Sequence, residues 1–182
     1  MNAAVPDLAA VLRVLNSMRE QKIISRYAIG GAVAAIFYVE PRETFDLDIF
    51  FILEQQPSND FLRLETIYDF ARTQNFEIES EFIRIHGWAV QFFESETPLW
   101  KKAVETAREV RFETVETFVI APEYLATMMV EAGRNKDWIR LADFWEAEIL
   151  DKQKFLKILE KFDLSEKWKK HKWRFETDER QS

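Results

Sequence analysis

The sequence predicts a mixed α/β fold carrying a helical C-terminal extension, and three observations support this. Short apolar, strand-like runs alternate with segments of helical period as far as Ala121. From Pro122 onward every segment has helical spacing. Between them, "FDLDIFF" (45–51) sets Asp46 and Asp48 at i and i+2 in an otherwise apolar strand, where an unpartnered buried carboxylate is strongly unfavourable.

Taken in order, Leu8, Val11, Leu12, Leu15 and Met18 recur at helical spacing and define a first helix. "RYAIGG" reads as a strand ending in a glycine pair, "AVAAIFYV" as a buried helix, "FDLDIFFIL" as a strand and "QQPSND" as a loop. A helix is expected over about 60–73, with Leu64, Ile67, Tyr68 and Ala71 on one face. "FEIESEFIRIHG" and "WAVQFFES" read as two strands of a hairpin turning at His86-Gly87. Thr97-Pro98 is a cap followed by proline at the first helical position, and "VRFETVETFVI" is a strand pair. "PEYLATMMVEAG", "DWIRLADFWEAEIL", "KQKFLKILEKF" and "SEKWKKHKW" are each amphipathic helices. No linker rich in Pro, Gly or Ser and no repeat interrupts the chain. The expected organisation is a core over 1–121 with a helical extension over 122–182 packed on it as one compact unit.

Composition narrows the chemistry. The 182 residues, 47% apolar and 31% charged, are enough for a buried core. With no cysteine, disulfides, thiol catalysis and thiolate zinc sites are excluded. The first basic residue is Arg13 and no apolar segment follows a charged start, so a signal peptide is not expected and a cytoplasmic location is. The longest apolar run, twelve residues, is too short to span a bilayer, and no membrane association is expected. A formal charge of −7 argues against a broad nucleic-acid surface, although "EKWKKHKWR" is locally basic.

In a strand, Asp46 and Asp48 project from one face while Leu47 and Ile49 turn to the other. Two close carboxylates repel unless a cation neutralises them, and hard oxygen donors suit Mg²⁺, which commonly shares its shell with substrate phosphates. Gly30 and Gly31, between a strand and a helix, let backbone N–H groups approach a phosphate. Separately, a Gly-Gly pair is usually a tight turn and an Asp-x-Asp a solvated strand end; in this order on these elements they point to a metal–triphosphate site.

These residues carry a resemblance. "YAIGGAVAAIFYVEPRETFDLDIFFIL" resembles the core of the nucleotidyltransferase (polymerase-beta-like) superfamily, and "RETFDLDIFF" resembles the Arg-x-Thr-x-Asp-x-Asp signature of its minimal bacterial branch, which includes AbiEii-type abortive-infection toxins. "APEYLATMMVEAGRNKDWIRLADF" (121–144) is similar to the helical segment that follows the core in that branch. The resemblance implies a nucleotidyltransferase-type mixed β-sheet flanked by helices. It also implies transfer of a nucleoside monophosphate from an NTP to an RNA, nucleotide or protein acceptor, with an antitoxin-like partner protein if the toxin branch applies. Asp46 and Asp48 would hold Mg²⁺ in a two-metal site, and Gly30 and Gly31 the triphosphate. Arg42 and Thr44 match the motif and would steady the site, unless Arg42 is a solvated loop residue. Arg134 and Lys136 would meet phosphates, against the plainer reading of a helix-junction cap and surface charge, and Asp137 reads as an N-cap.

Two positions depart from that pattern. The third carboxylate of the family falls at Gln91, which offers an oxygen ligand but no charge and cannot act as a base. Glu94 is the nearest carboxylate but lies an odd number of residues away and should face the other side unless a bulge re-aims it, and Glu79 and Glu81 on the neighbouring strand are further candidates against the plainer reading of solvated-face residues. Met129 stands where related helices carry a lysine. The competing expectation is therefore a degenerate nucleotidyltransferase fold acting as a binding or interaction module. His86 and His171 lack ligand spacing, and Trp138, Phe144 and Trp145 have the spacing of core residues. In the tail, Trp168 and Trp173 among cations fit either an RNA-stacking surface or a terminal helix with tryptophans packed inward.

Overall fold

Seven strands form one sheet in the order β3-β4-β5-β2-β1-β7-β6. They are β1 (Ile24–Ile29), β2 (Asp46–Leu53), β3 (Glu77–Glu79), β4 (Phe82–Ile85), β5 (Trp88–Glu94), β6 (Arg108–Phe112) and β7 (Val115–Val119). The computed structural model describes residues 6–39, 44, 46–53 and 64–175. At the centre, β2 pairs antiparallel with β1 and parallel with β5, and β1 pairs parallel with β7. The mixed sheet flanked by helices is the architecture expected from the sequence.

The local signals explain where the helices begin. Asp7 caps α1 (Leu8–Glu20) by accepting from the Ala10 N–H at 2.9 Å. Gly31 opens α2 (Gly31–Ile36), α3 spans Glu65–Thr73, and Thr97 caps α4 (Pro98–Glu105) through the Trp100 N–H at 3.1 Å, with proline at its start. Pro122 begins α5 (Pro122–Ala132), which ends at left-handed Gly133. The remaining helices are α6 (Asn135–Glu146), α7 (Lys152–Lys161) and α8 (Ser165–Lys169), followed by a 3₁₀ turn, Lys172–Arg174.

The two faces of β2 are covered differently. Leu47, Ile49 and Phe51 are fully buried on one face. Tyr27, in register with Phe51, donates its hydroxyl to Asn16 Oδ1 of α1 at 3.0 Å, so α1 lies over that face. The opposite face begins with Asp46 and Asp48 and continues to Phe50, which Trp100 of α4 meets edge-on at 5.0 Å between ring centroids. Along one strand the face thus passes from polar to closed and apolar. Beyond it, α5 is buried from Pro122 to Val130 and joins the sheet to the later helices.

Three expectations about elements need correction. The run 76–87 is broken by a turn with Ser80 at φ 58°, so it forms β3 and β4 instead of one strand. The expected β4–β5 turn at His86-Gly87 is present, both residues having positive φ as a two-residue hairpin requires. On α3 the buried residues are Ile67, Phe70 and Ala71, and Leu64 is exposed; residues 60–63 of that expected helix lie outside the described residues. The last amphipathic segment is a short helix and a 3₁₀ turn in place of one helix. Among the described residues no helix is long and apolar enough to cross a membrane.

Candidate active site

The glycine pair and the acidic pair meet directly. Where β1 ends, the Gly30 N–H donates to the Asp48 carbonyl at 2.9 Å. Gly31 then adopts φ +56°, a left-handed conformation that favours glycine. A Cβ there would overlap Asp48 Oδ2 and stand 2.7 Å from Asp48 Cγ, while a Cβ on Gly30 would run into the Phe50 ring. Both glycines are therefore required by packing against β2. Helix α2 has only six residues, so few aligned peptide dipoles stand behind this corner.

Asp46 is exposed and Asp48 half-buried on the same face. In the parallel pair, Asp46 aligns with Ala89 and Asp48 with Gln91, so Gln91 is the residue in register with Asp48 on the neighbouring strand. One step further, Phe50 and Phe93 stack at 5.1 Å. Burial, and then the charge of Asp46, push the Asp48 carboxyl above the usual carboxylate range. Lys136, Arg140 and Arg134 pull it back.

Those cations come from the corner between α5 and α6. Gly133 turns the chain at φ +66° and donates to the Met129 carbonyl at 2.8 Å. Asp137 is buried and reaches back to Arg134, accepting from its N–H at 3.2 Å, from Nε at 2.7 Å and from an Nη at 3.2 Å. Asp137 thus closes the helix start from its third position, not from the N-cap position expected for it. Lys136 is exposed, and half-buried Arg140 follows one turn later. Sequence reasoning missed Arg140; its spacing of four from Lys136 was the available signal.

The remaining sequence-predicted residues are dispersed. The Thr44 hydroxyl donates to the Asp46 carbonyl at 3.3 Å, fastening the entry to β2. Arg42 lies outside the described residues. Glu94 aligns with Phe51 and so faces away from Asp48, while Glu79 pairs with Arg84 at 2.8 Å. Met129 is in the core. The tail braces the corner: Lys167 Nζ donates to the Glu131 carbonyl at 2.5 Å, and the His171 ring stacks on Trp138 at 4.3 Å. Trp168 is buried against Trp145 and Phe155, and Trp173 is exposed.

Among the described residues no group of three or more His, Cys, Asp or Glu converges. Two carboxylates on one strand face, with an amide residue in register on the next strand, nevertheless fit in donor chemistry one Mg²⁺ that keeps several waters and shares substrate oxygens. Burial is the larger cause of the raised Asp48 pKa; the second, repulsion from Asp46, is what such an ion would relieve.

Solved structures share this architecture. The chain is similar to an antigenic nucleotidyltransferase-like protein from Paracoccidioides brasiliensis, at 17% identity and a TM-score of 0.53, over 89% of this chain and 92% of that one. It is also similar to the antibiotic-resistance factor ANT(2'')-Ia, at 13% identity and a TM-score of 0.53, over 91% of this chain and 95% of that one. The chain therefore has a nucleotidyltransferase-type fold. No protein-family model and no curated protein sequence matches it.

Proposed function

We propose that the protein transfers a nucleoside monophosphate from an NTP to an acceptor hydroxyl on RNA, a nucleotide or a protein, in a Mg²⁺-dependent reaction. The observation that carries this is the meeting of Gly31 with the Asp48 carboxylate on a nucleotidyltransferase-type fold. In the reaction the acceptor oxygen forms a bond to the α-phosphorus and the α–β P–O bond breaks. Pyrophosphate leaves with the electron pair, and the hydroxyl proton passes to water.

Asp46 and Asp48, with the Gln91 amide oxygen, would hold Mg²⁺. The bound ion supplies positive charge against the carboxylates and the phosphates. The Gly30–Gly31 corner keeps side chains off the Asp48 carboxylate, and the basic start of α6 offsets polyphosphate charge. Trp100, Phe50 and Phe93 close the apolar end of the same face. The two motif blocks at 42–51 and 121–144 favour the branch containing abortive-infection toxins, and with it a role in a toxin–antitoxin or phage-defence pair.

A second reading, a fold retained for binding without chemistry, is favoured by one observation: the residue aligned with Asp48 on β5 is Gln91. Incubation with Mg²⁺ and α-labelled NTPs, alongside calorimetry with a non-hydrolysable NTP, separates the two. Label on RNA, protein or a small acceptor supports transfer. Binding without label supports the second reading, and neither binding nor label sinks the transferase.

A further inference from the structure

We infer that Trp100 is a positioning residue for the glycine corner of the site, set in place by a hydrogen bond from its indole N–H to Glu131. The inference takes its functional meaning from the nucleotidyltransferase reading and its geometry from packing alone.

Phe50 is the link to the site. A Cβ on Gly30 would stand 2.6 Å from Phe50 Cδ2, so the ring lies directly against the Gly30 backbone. The Gly30 N–H in turn donates to the Asp48 carbonyl at 2.9 Å. In a close-packed interior, the place of the Phe50 ring therefore fixes how the end of β1 meets β2 beside Asp48. Two aromatic rings hold Phe50: Phe93 stacks on it at 5.1 Å, and Trp100 meets it edge-on at 5.0 Å. Phe93 is carried by the neighbouring strand β5, whereas Trp100 stands on α4.

Trp100 is held twice. Its backbone N–H donates to Thr97 Oγ1 at 3.1 Å, and its indole N–H donates to Glu131 Oε2 at 2.6 Å. The second bond is short, charge-assisted and partly buried, the stronger kind of hydrogen bond, and it ties α4 to α5. At the same residue, Lys167 Nζ of α8 donates to the Glu131 carbonyl at 2.5 Å. Lys167 also lies over Gly133, where a Cβ would stand 2.9 Å from its Nζ. A continuous line of contacts thus runs from α8 through Glu131, Trp100 and Phe50 to Gly30. By this line the helical extension holds the glycine corner in the shape that a bound phosphate would meet.

The ordinary alternative is that Trp100 only fills space, and the Gly30 amide separates the two. Trp100→Phe keeps a ring and loses the N–H, Glu131→Leu removes the acceptor, and Glu131→Gln keeps one. In hydrogen exchange followed by NMR, Gly30 should exchange roughly tenfold faster in Trp100→Phe and in Glu131→Leu. The amides of β4 and β5 should keep their wild-type rates. Glu131→Gln should restore most of the protection, and the double variant should exchange no faster than either single one. No change at Gly30, equal acceleration in β4 and β5, or Glu131→Gln no better than Glu131→Leu overturns the inference. Calorimetry with Mg²⁺ and a non-hydrolysable NTP should show Trp100→Phe binding about fivefold or more weaker than the wild type. Equal affinity of the two proteins overturns the role in the site and leaves the transferase reading standing. A wild type that binds no NTP removes the transferase reading, and Gly30 exchange then decides the Glu131–Trp100–Phe50 line by itself.

Discussion

The Asp48 carboxylate occupies the space that a side chain on Gly31 would fill. A glycine just past the end of one strand and an aspartate on its neighbour are thus a single packing unit, in which the glycine has no room for a side chain while the aspartate is present. Substituting Gly31 with Ala forces a methyl group into a left-handed backbone and into the carboxylate together. The expected loss is about 1–3 kcal/mol from the backbone alone, read as a lower urea midpoint, together with loss of Mn²⁺ binding. An unchanged midpoint with intact metal affinity would contradict the packing.

Asp48 should make the metal-free protein less stable as pH rises. Its folded-state pKa lies above the ordinary value of about 3.9, so the folded state holds the proton more tightly. That contribution is fully present below the unfolded-state value and is lost as pH rises through the folded value. Asp48→Asn removes the charge, so in metal-free buffer its melting temperature should exceed that of the wild type at pH 7 and approach it at pH 4. The same variant should lose Mn²⁺ binding. A melting temperature below the wild type at pH 7 would show that the ionised carboxylate is already compensated.

Gln91→Asp places a third carboxylate in register with Asp48. Mn²⁺ affinity should rise by roughly tenfold, about 1.4 kcal/mol, while metal-free stability at pH 7 falls through like-charge repulsion. Transfer activity that appears only in this variant would mark the natural chain as degenerate. Activity already present in the wild type would exclude that reading.

Asp137→Ala leaves the Arg134 N–H and guanidinium without their buried partner. A loss of about 1–3 kcal/mol is expected, seen as an earlier thermal transition. Weaker NTP binding should accompany it, because the α6 turn that aims Lys136 is no longer held. Full NTP affinity in a destabilised but folded variant would separate the corner from the ligand.

His171→Ala tests whether the tail is a brace. Loss of the stack on Trp138 at 4.3 Å should lower stability by about 0.5–1.5 kcal/mol. RNA affinity, measured by fluorescence anisotropy, should stay unchanged. A drop in RNA binding without a change in stability would favour the tail as a nucleic-acid surface.

Much of the fold was legible because its signals are local. Thr97-Pro98, Pro122 and Gly133 act within one turn of chain, and period-two alternation places Asp46 and Asp48 on one face whatever the sheet around them. The opposed facing of Glu94 followed from the same alternation. The break at Ser80 was missed because its turn needs one residue at positive φ and no glycine, although the polar "ESE" and the shift of apolar phase from Phe76 and Ile78 to Ile83 and Ile85 marked it. Arg140 was missed because a surface cation on an amphipathic helix looks the same whether it faces water or a carboxylate.

By itself, then, the sequence determined the classes of element, the acidic pair on one strand face, the glycine pair before a helix and the absence of thiol chemistry. Only the tertiary structure decided which groups meet. Strand pairing set Gln91 beside Asp48, and close packing put the Asp48 carboxylate over Gly31. The turn at Gly133 brought the α6 cations to bear on Asp48 and tied Arg134 to Asp137. The physical reason is range: dihedral preference, capping and periodicity act over a few residues, whereas charge and close packing join residues far apart in the chain.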